Sequence, residues 1–221
     1  MRPDLTLENR LWAEGFRVIG CDEAGRGTWA GSLWVGAVTL RKDDIIVVSE
    51  MVDSYHLNDS KKMTPKQRAV IYRMILETGI PYAVADATVG EVDAVGIEAA
   101  FVLALNRAGS SLMSNQQDRY AKIALLIDGR RYKDLKVADT TLSEAIDFEV
   151  VAEDKLDQTS TTVALASVVA KTHQEITMLG LDKLYPEYGL AKNNGYPTQA
   201  HREAVAEHGL TAIHRQSWNV A

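Results

Sequence analysis

The sequence predicts an α/β domain in which a mixed β-sheet, beginning with an antiparallel meander, is flanked by helices. Three observations support this class. Short apolar segments alternate with longer segments of helical periodicity, and three early strand-like segments lie close together in sequence. One later segment is apolar almost throughout, as is usual for a strand inside a covered sheet.

The size and composition favour one domain. The chain has 221 residues, of which 46% are hydrophobic and 24% are charged, and this suffices for one core. No repeat and no Pro/Gly/Ser linker divides it. We therefore expect a single domain over residues 1–221, with a C-terminal helical part from about 176 to 221 that packs on or beside it.

The first half of the chain is predicted to form the meander and then a helix. Thr64 can cap this helix, Pro65 suits its first turn, Gln67 completes a capping box, and Gly79 can end it. Its apolar face consists of Val70, Ile71, Met74 and Ile75. The three strands of the predicted meander are residues 18–22, 32–40 and 45–48.

The second half alternates between strands and helices. The helix over residues 91–108 has Val95, Ala99, Val102 and Leu103 among its expected buried positions. The long helix from 160 to about 184 has an Ala/Ser-rich first half that permits close packing. The predicted strands are 81–88, 122–127 and 148–152, and a last helix covers 198–208 before Gly209.

Charge and composition narrow the class of protein. The net charge of −6 argues mildly against a nucleic-acid-binding protein, although lysines cluster locally at Lys61, Lys62 and Lys66. Such a cluster is also compatible with an ordinary solvated face. No segment approaches the ~20 apolar residues of a membrane span, and the charged N-terminus lacks the apolar region of a secretory signal. Cys21 is the single cysteine, and we expect a cytoplasmic protein.

Four acidic residues stand where predicted strands end or a helix is about to begin. Asp22 and Glu23 lie where the first strand runs into the glycine loop at 25–27, Asp128 follows the apolar strand, and Asp157 precedes the long helix. Carboxylates from separate segments suit Mg²⁺ or a similar hard cation, and two such ions can promote phosphodiester hydrolysis. Each acid is also compatible with a turn or helix-capping role, so position alone leaves both interpretations open.

Six segments in the same order resemble the motifs of ribonucleases HII, over residues from about 18 to 218. The first is GCDEAGRG at residues 20–27. The others are NDSKKM at 58–63, LIDG at 126–129, ALASVVAK at 164–171, GYPT at 195–198 with His201, and IHRQSW at 213–218.

The resemblance implies a ribonuclease H-like fold and a catalytic, metal-binding set formed by Asp22, Glu23, Asp128 and Asp157. The related HIII family usually has Glu at the position of Asp157. The implied cofactor is Mg²⁺ or Mn²⁺ in a two-ion site. The implied activity is endonucleolytic hydrolysis of the RNA strand of RNA–DNA hybrids, and cleavage 5′ to single ribonucleotides in duplex DNA, with 3′-hydroxyl and 5′-phosphate products. We expect a monomer with nucleic acid as its partner and no membrane association.

The resemblance also implies residues that contact the substrate. The glycine loop and the matched tyrosine sense the ribose 2′-hydroxyl and the RNA-to-DNA step, and two lysines contact phosphates without reading sequence. Taken alone, the tyrosine would more often be an ordinary packed aromatic residue than a substrate contact. The residues are Gly25, Arg26, Gly27, Tyr196, Lys61 and Lys62.

The chain departs from the family pattern at five positions, and none of them is one of the four acids. Thr28 stands where the family usually has Pro, and Ser32 stands where it often has Pro or Ala. Ala164 replaces the first serine of S-A-A-S, Glu175 replaces an aspartate, and Asn194 replaces a lysine beside the tyrosine. These departures leave substrate preference and rate open.

Two alternative functions remain at this level. One is a protein that binds RNA–DNA hybrids with little or no catalysis. The other is a ribonuclease H-like nuclease that acts on all-DNA structures such as junctions. Cleavage of hybrid excludes the first, and cleavage of an all-DNA duplex favours the second.

Overall fold

A five-stranded mixed sheet forms the centre of the part of the chain that the computed structural model describes, residues 2–114, 122–135 and 147–218. Its strands are β1 (Arg17–Ala24), β2 (Leu33–Thr39), β3 (Tyr82–Ala87), β4 (Lys122–Asp128) and β5 (Asp147–Glu153). The helices of the described residues are α1 (Thr6–Ala13), α2 (Ile45–Asp53), α3 (Pro65–Thr78), α4 (Val89–Ser114), α5 (Thr161–Leu184), α6 (Leu190–Asn193) and α7 (Gln199–His208).

The strand order β3-β2-β1-β4-β5 combines both kinds of pairing. β1 and β2, and β2 and β3, are antiparallel, whereas β1 and β4, and β4 and β5, are parallel. Cys21 of β1 lies opposite Ile127 of β4 in the parallel pair. The next residues, Asp22 and Asp128, therefore lie side by side at the carboxyl ends of neighbouring strands. The predicted mixed α/β fold is confirmed.

The third strand of the predicted meander was wrong. Residues 45–48 belong to helix α2, and β3 supplies the third antiparallel strand. The run of Ile and Val favours a strand locally, but Val48 and Met51 are buried three residues apart while Ile46 is 84% exposed. This spacing matches one face of a helix. That face packs in the same hydrophobic core as Leu57.

Two further sequence predictions need correction. Helix α1 was not predicted at all. Within α4, Val95 is 48% exposed, Leu103 is 37% exposed and Ala99 is also exposed, although all three were expected to be buried. The reason is a kink at Gly96, whose φ of 79° interrupts the helix and shifts the phase of its buried face. The buried positions beyond the kink are Ala100, Phe101, Ala104, Leu105, Ala108 and Leu112.

The predicted start and end of α3 are confirmed. The Thr64 hydroxyl accepts a hydrogen bond from the Gln67 amide at 3.2 Å, and the Gln67 side chain accepts one from the Thr64 amide at 2.9 Å. Gly79 ends the helix in the left-handed conformation, with a φ of 65°. These contacts are local, which explains why the sequence alone specified them.

Helix α5 packs closely on the middle of the sheet because two strand glycines lie against it. A Cβ atom at Gly20 would overlap the backbone of Thr162 and Val163, and one at Gly36 would overlap the carbonyl of Ala166. The small residues in the first half of α5 permit this approach, as predicted.

The C-terminal helices form a smaller core beside the end of α5. Met178, Tyr188, Leu190 and Ala204 are buried there together with Ala30. That residues 1–221 form one domain stays a prediction. Among the described residues, no helix is both long enough and apolar enough to cross a membrane.

Helix α1 carries a fully buried carboxyl group that fixes the start of α5. Glu8 Oε1 accepts hydrogen bonds from the Ser160 hydroxyl at 2.7 Å and from the amide and hydroxyl of Thr162, both at 2.9 Å. Nearby, the Asp4 amide donates to the Thr159 carbonyl at 3.0 Å, and the Thr161 amide donates to the Asp4 carbonyl at 3.1 Å. The N-terminal segment thus holds the chain just after Asp157.

We predict that Glu8→Ala lowers the free energy of unfolding by about 2–4 kcal/mol, because three buried donors lose their acceptor. Urea denaturation followed by circular dichroism measures this change. Glu14→Ala, at the exposed end of the same helix, is the control and should change stability by no more than about 0.5 kcal/mol. Equal denaturation midpoints for the two variants would contradict the assigned role.

Candidate active site

The carboxyl ends of β1 and β4 bring two of the predicted acids together. Asp22 is buried in β1 just after its parallel pairing with β4 ends, two residues before the end of the strand, and Asp128 is partly buried at the end of β4. Asp128 Oδ1 accepts a hydrogen bond from the Leu156 amide at 2.9 Å. This bond ties the end of β4 to the turn that contains Asp157.

Asp157 comes from a third segment, the 3-10 turn Leu156–Gln158 between β5 and α5. Its side chain is buried. The turn leads directly into α5, where the Ser160 hydroxyl accepts a hydrogen bond from the Val163 amide and caps the helix. The first turn of α5 is held in turn by Glu8.

Burial in the first place, and repulsion between neighbouring acids in the second, raise the pKa values of Asp22 and Asp157. Burial raises the pKa of Asp22 well above its usual range, and repulsion from Glu23 and Asp128 raises it further. Burial, followed by repulsion from Asp128 and Asp59, raises the pKa of Asp157 to about 7. The pKa of Asp128 is also raised, mainly by burial. Negative charge at this edge of the sheet is therefore poorly compensated by the protein.

Two buried carboxylate oxygens illustrate this lack of compensation. Asp22 Oδ2 and Asp157 Oδ1 are inaccessible to solvent and have no hydrogen-bond partner among the residues that the structure describes. Unpartnered buried oxygens are costly, and hard divalent cations prefer oxygen ligands. The donor set therefore suits a cation such as Mg²⁺ or Mn²⁺, which Asp22, Asp128 and Asp157 could hold.

The acids do not form a finished ligand cage in this structure. Within residues 2–114, 122–135 and 147–218, no three His, Cys, Asp or Glu side chains are arranged to bind one metal ion. Glu23, the fourth predicted acid, accepts a hydrogen bond from Arg26 Nε at 2.9 Å. The site is thus a group of neighbouring, mutually repelling acids, and ligation requires their side chains to reorient.

Both predicted lysines lie beside this group. Burial lowers the pKa of Lys61, but attraction to Asp22, Asp59, Glu23 and Asp157 outweighs it, so that the pKa is raised. Lys62 Nζ donates to the Gln158 side chain at 2.7 Å, in the turn that contains Asp157. The two positive charges therefore flank the acids from one side.

Asp59 is a member of the site that the sequence interpretation missed. Its buried carboxyl group caps a 3-10 turn by accepting a hydrogen bond from the Lys61 amide at 2.8 Å, and its negative charge adds to the burial and the Asp128 repulsion that raise the pKa of Asp157. The Ser60 hydroxyl beside it accepts a hydrogen bond from the Ser167 hydroxyl at 2.7 Å. The signal was present in the NDSKKM motif, in which only the lysines were assigned a role.

The predicted glycine loop lies against the predicted tyrosine. Gly25 has a φ of 86°, and a Cβ atom there would lie 2.9 Å from the Ser32 carbonyl oxygen. A Cβ atom at Gly27 would lie 3.8 Å from the ring of Tyr196. The Trp29 amide donates to the Gly195 carbonyl at 2.8 Å, which fastens the loop to the tyrosine segment. The structure therefore brings these predicted residues together.

A buried arginine fixes the path of this loop. The Arg215 guanidinium donates to the carbonyl oxygens of Gly25 at 2.7 Å, Arg26 at 3.0 Å and Gly31 at 3.0 Å. Burial lowers the pKa of Arg215 to about 10. Because the guanidinium of Arg215 hydrogen-bonds to three carbonyl groups of the loop, a residue far along the sequence fixes the conformation of the loop backbone. Arg215 lies in a matched motif, but its contact with the loop was not predicted.

Among the departures from the family pattern, Glu175 has clear side-chain partners. It forms an ion pair with Arg68 and lies 3.8 Å from the ammonium group of Lys171. At Asn194 the backbone carbonyl, which any residue would supply, accepts a hydrogen bond from the Gln174 side chain at 3.1 Å. The Lys171 ammonium group lies 5.6 Å from the centre of the Tyr196 ring, so a positive charge remains beside the tyrosine.

Comparison with known proteins identifies relatives over most of the chain. The family described as Ribonuclease HII matches residues 19–221. A ribonuclease HII of Thermus thermophilus is 38% identical over 210 residues, covering 95% of this chain and 90% of the relative. A ribonuclease HII of Bacteroides thetaiotaomicron is 39% identical over 201 residues, covering 91% and 88%.

Solved structures agree with the fold. Ribonuclease H2 from Pyrococcus horikoshii OT3 superposes with a TM-score of 0.66 and 27% identity, covering 93% of this chain and 95% of that one. A structure described as Bst-RNase HIII in complex with Mn²⁺ superposes with a TM-score of 0.70 and 20% identity, covering 93% of this chain and 68% of that one. The second likeness concerns the fold alone.

We predict that Asp157→Asn stabilises the metal-free protein above neutral pH. The pKa of Asp157 is raised from 3.8 to about 7 on folding, so the folded state binds its proton more tightly. The free energy of unfolding should therefore fall as pH rises from about 4 to about 7. The uncharged variant should be more stable than the parent by about 2–4 kcal/mol at about pH 8.

Denaturation in EDTA at several pH values measures this difference. Asp134→Asn removes an exposed carboxylate and serves as the control, which should follow the parent. Below about pH 4, the stabilising effect of Asp157→Asn should vanish, because the carboxyl group is protonated in both the folded and unfolded states. A variant that is less stable than the parent at about pH 8 would refute the electrostatic interpretation.

Proposed function

The chain belongs to the ribonuclease HII family, and on this basis we propose that Asp22, Glu23, Asp128 and Asp157 form a catalytic site for two divalent metal ions. It is an endoribonuclease that hydrolyses the RNA strand of RNA–DNA hybrids and depends on divalent metal. The observation that carries the proposal is the pair of buried, unpartnered oxygens on Asp22 and Asp157, which come from separate segments of the described chain.

The ions we propose are Mg²⁺ or Mn²⁺. Bound divalent ions supply positive charge that activates water for attack on the phosphodiester and stabilises the leaving oxygen. The protein's part is to hold the acids in place. The Leu156 amide orients Asp128, the capped start of α5 fixes the Asp157 turn, and the Glu23 amide donates a hydrogen bond to Asp22 Oδ1 at 2.8 Å. Positive charge at this edge would also relieve the repulsion that raises the pKa values of these acids.

The substrate proposal depends on the glycine loop and Tyr196. Gly25 lets the loop turn closely against the Ser32 carbonyl, and Gly27, which has no side chain beside Tyr196, would allow a ribose to approach the loop backbone there. A 2′-hydroxyl can donate and accept hydrogen bonds, so this surface can distinguish RNA from DNA. We propose that Lys61 and Lys62 contact phosphates. Cleavage would extend to single ribonucleotides embedded in duplex DNA, on their 5′ side.

The products follow from the direction of attack. Water would displace the 3′ oxygen, leaving 3′-hydroxyl and 5′-phosphate ends. We also propose that the chain acts as a monomer in the cytoplasm. The buried thiol of Cys21, the single cysteine, supports a reducing compartment.

We predict that Asp128→Asn lowers the rate of hybrid cleavage by at least about 100-fold, because it removes a charged ligand at the centre of the site. The assay follows a labelled RNA strand under single-turnover conditions. Thermal denaturation verifies that the variant is folded. Asp154→Asn, which neutralises an exposed neighbouring carboxylate, is the matched control. A folded Asp128→Asn variant with the parent's rate would show that the site is misassigned.

We predict that a DNA duplex with one ribonucleotide is cut 5′ to that nucleotide, whereas the same all-DNA duplex stays intact. Mg²⁺ or Mn²⁺ should support the reaction and EDTA should abolish it. End-labelled products separated by electrophoresis give the cleavage position and the end chemistry. Cleavage of the all-DNA duplex would favour a nuclease for DNA structures. Binding of hybrid without cleavage in either metal would favour a non-catalytic hybrid-binding protein.

A further inference from the structure

Glu98 is the common acceptor for three side chains beside the glycine loop. Arg26 donates to both of its oxygens, through Nη1 to Oε1 at 3.0 Å and through Nη2 to Oε2 at 3.1 Å. Arg131 donates to Oε1 at 3.3 Å, and the Tyr132 hydroxyl donates to Oε2 at 3.0 Å. One carboxylate thus binds two arginines from different parts of the chain.

These contacts occupy the Arg26 guanidinium on each of its nitrogens. Its Nε donates to Glu23, its two terminal nitrogens donate to Glu98, and Nη2 also contacts the Tyr132 hydroxyl. The guanidinium carbon lies 5.9 Å and 5.8 Å from the ring centres of Phe101 and Tyr132. Of the five N–H bonds of the guanidinium, these contacts use four, so a phosphate that binds Arg26 through two parallel N–H bonds must displace one of its two carboxylates.

Of those two, Glu98 is the one that can leave. Glu23 is mostly buried and belongs to the proposed catalytic set, whereas the Glu98 side chain is 56% exposed. Glu98 follows the kink at Gly96 in α4 and lines an open groove together with Arg131 and Tyr132. Ion pairs at such exposed positions are weak, so displacing the Glu98 carboxylate from Arg26 costs little free energy.

Carboxylate and phosphate compete for the same arginine geometry. A guanidinium binds either group through two parallel N–H···O bonds, and Glu98 already occupies the fork of Arg26. The charges also balance: the two positive charges of Arg26 and Arg131 face the two negative charges of Glu23 and Glu98. This patch therefore offers little net attraction to a nucleic-acid backbone until Glu98 moves.

We propose that Glu98 is a positioning residue that holds Arg26 and Arg131 in the free protein and competes with substrate phosphate for them. It sets how strongly the loop side of the site attracts a nucleic-acid backbone. This inference depends on the proposed substrate role of the glycine loop. The ligand class is the phosphate backbone of an RNA–DNA hybrid.

The test compares Glu98→Gln with Glu91→Gln. Both variants remove one negative charge from α4, and Glu91 forms a similar two-oxygen pair with Arg107, which also donates to the Asp86 carbonyl at the end of β3. Binding of a fluorescent RNA–DNA hybrid is measured by anisotropy in EDTA over a range of salt concentrations. Steady-state cleavage with Mn²⁺ then separates KM from kcat.

For Glu98→Gln we expect hybrid binding that is about 3- to 10-fold tighter, and a salt slope of log Kd that is steeper by about one to two, since one or two more phosphates are neutralised. KM should fall with little change in kcat. In an Arg26→Gln, Arg131→Gln background, the effect of Glu98→Gln should shrink to that of Glu91→Gln. A purely structural role would not produce this combination.

Other results overturn the inference. Weaker binding by Glu98→Gln would mean that Glu98 prepares Arg26 for substrate and does not compete with it. Equal behaviour of the Glu98 and Glu91 variants would mean that the arginines do not contact phosphate. If the parent protein cleaves hybrid while either result holds, only this inference fails. If the parent neither binds nor cleaves hybrid, the proposed function fails with it.

Discussion

The crowding of negative charge at the carboxyl ends of β1 and β4 governs how the rest of the site is organised. Asp22 and Asp128 are neighbours because their strands are parallel and in register, and Asp157 joins them from the turn before α5. Burial of several carboxyl groups in one place is costly, as their raised pKa values indicate. A fold can retain such a cluster only if other contacts hold it together, or if a cation completes it.

Those other contacts come from segments that are distant in sequence. Glu8, in the first helix, accepts three hydrogen bonds at the start of α5 and so restrains the turn that carries Asp157. Glycines in β1 and β2 allow α5 to pack directly on the sheet. At the other end of the chain, Arg215 binds three carbonyls of the glycine loop. Both ends of the described chain thus stabilise the segments between them.

The charged side chains around the acids are also arranged by contacts between distant parts of the sequence. The net charge of −6 is unusual for a protein whose substrate is a polyanion, and the acids of the site account for part of it. Lys61 and Lys62 bring positive charge to one side of the acids, while Arg26 and Arg131 are neutralised by carboxylates on the other side. Attraction to nucleic acid is therefore local, and which basic groups are free depends on side-chain contacts that overall charge does not reveal.

The order of residues was enough to predict the fold class, the capped helix after Thr64, the apolar strand that ends at Asp128, and the motifs that contain the four acids. These features depend on neighbours within a few residues, on hydrophobic periodicity, or on matched motifs. Three-dimensional packing was needed to establish that residues 45–48 are helical and that α4 changes phase at Gly96. It was also needed to show that Asp59 joins the acids and that Glu98 holds Arg26. Those outcomes depend on which distant side chains pack together, and local pattern carries no information about that choice.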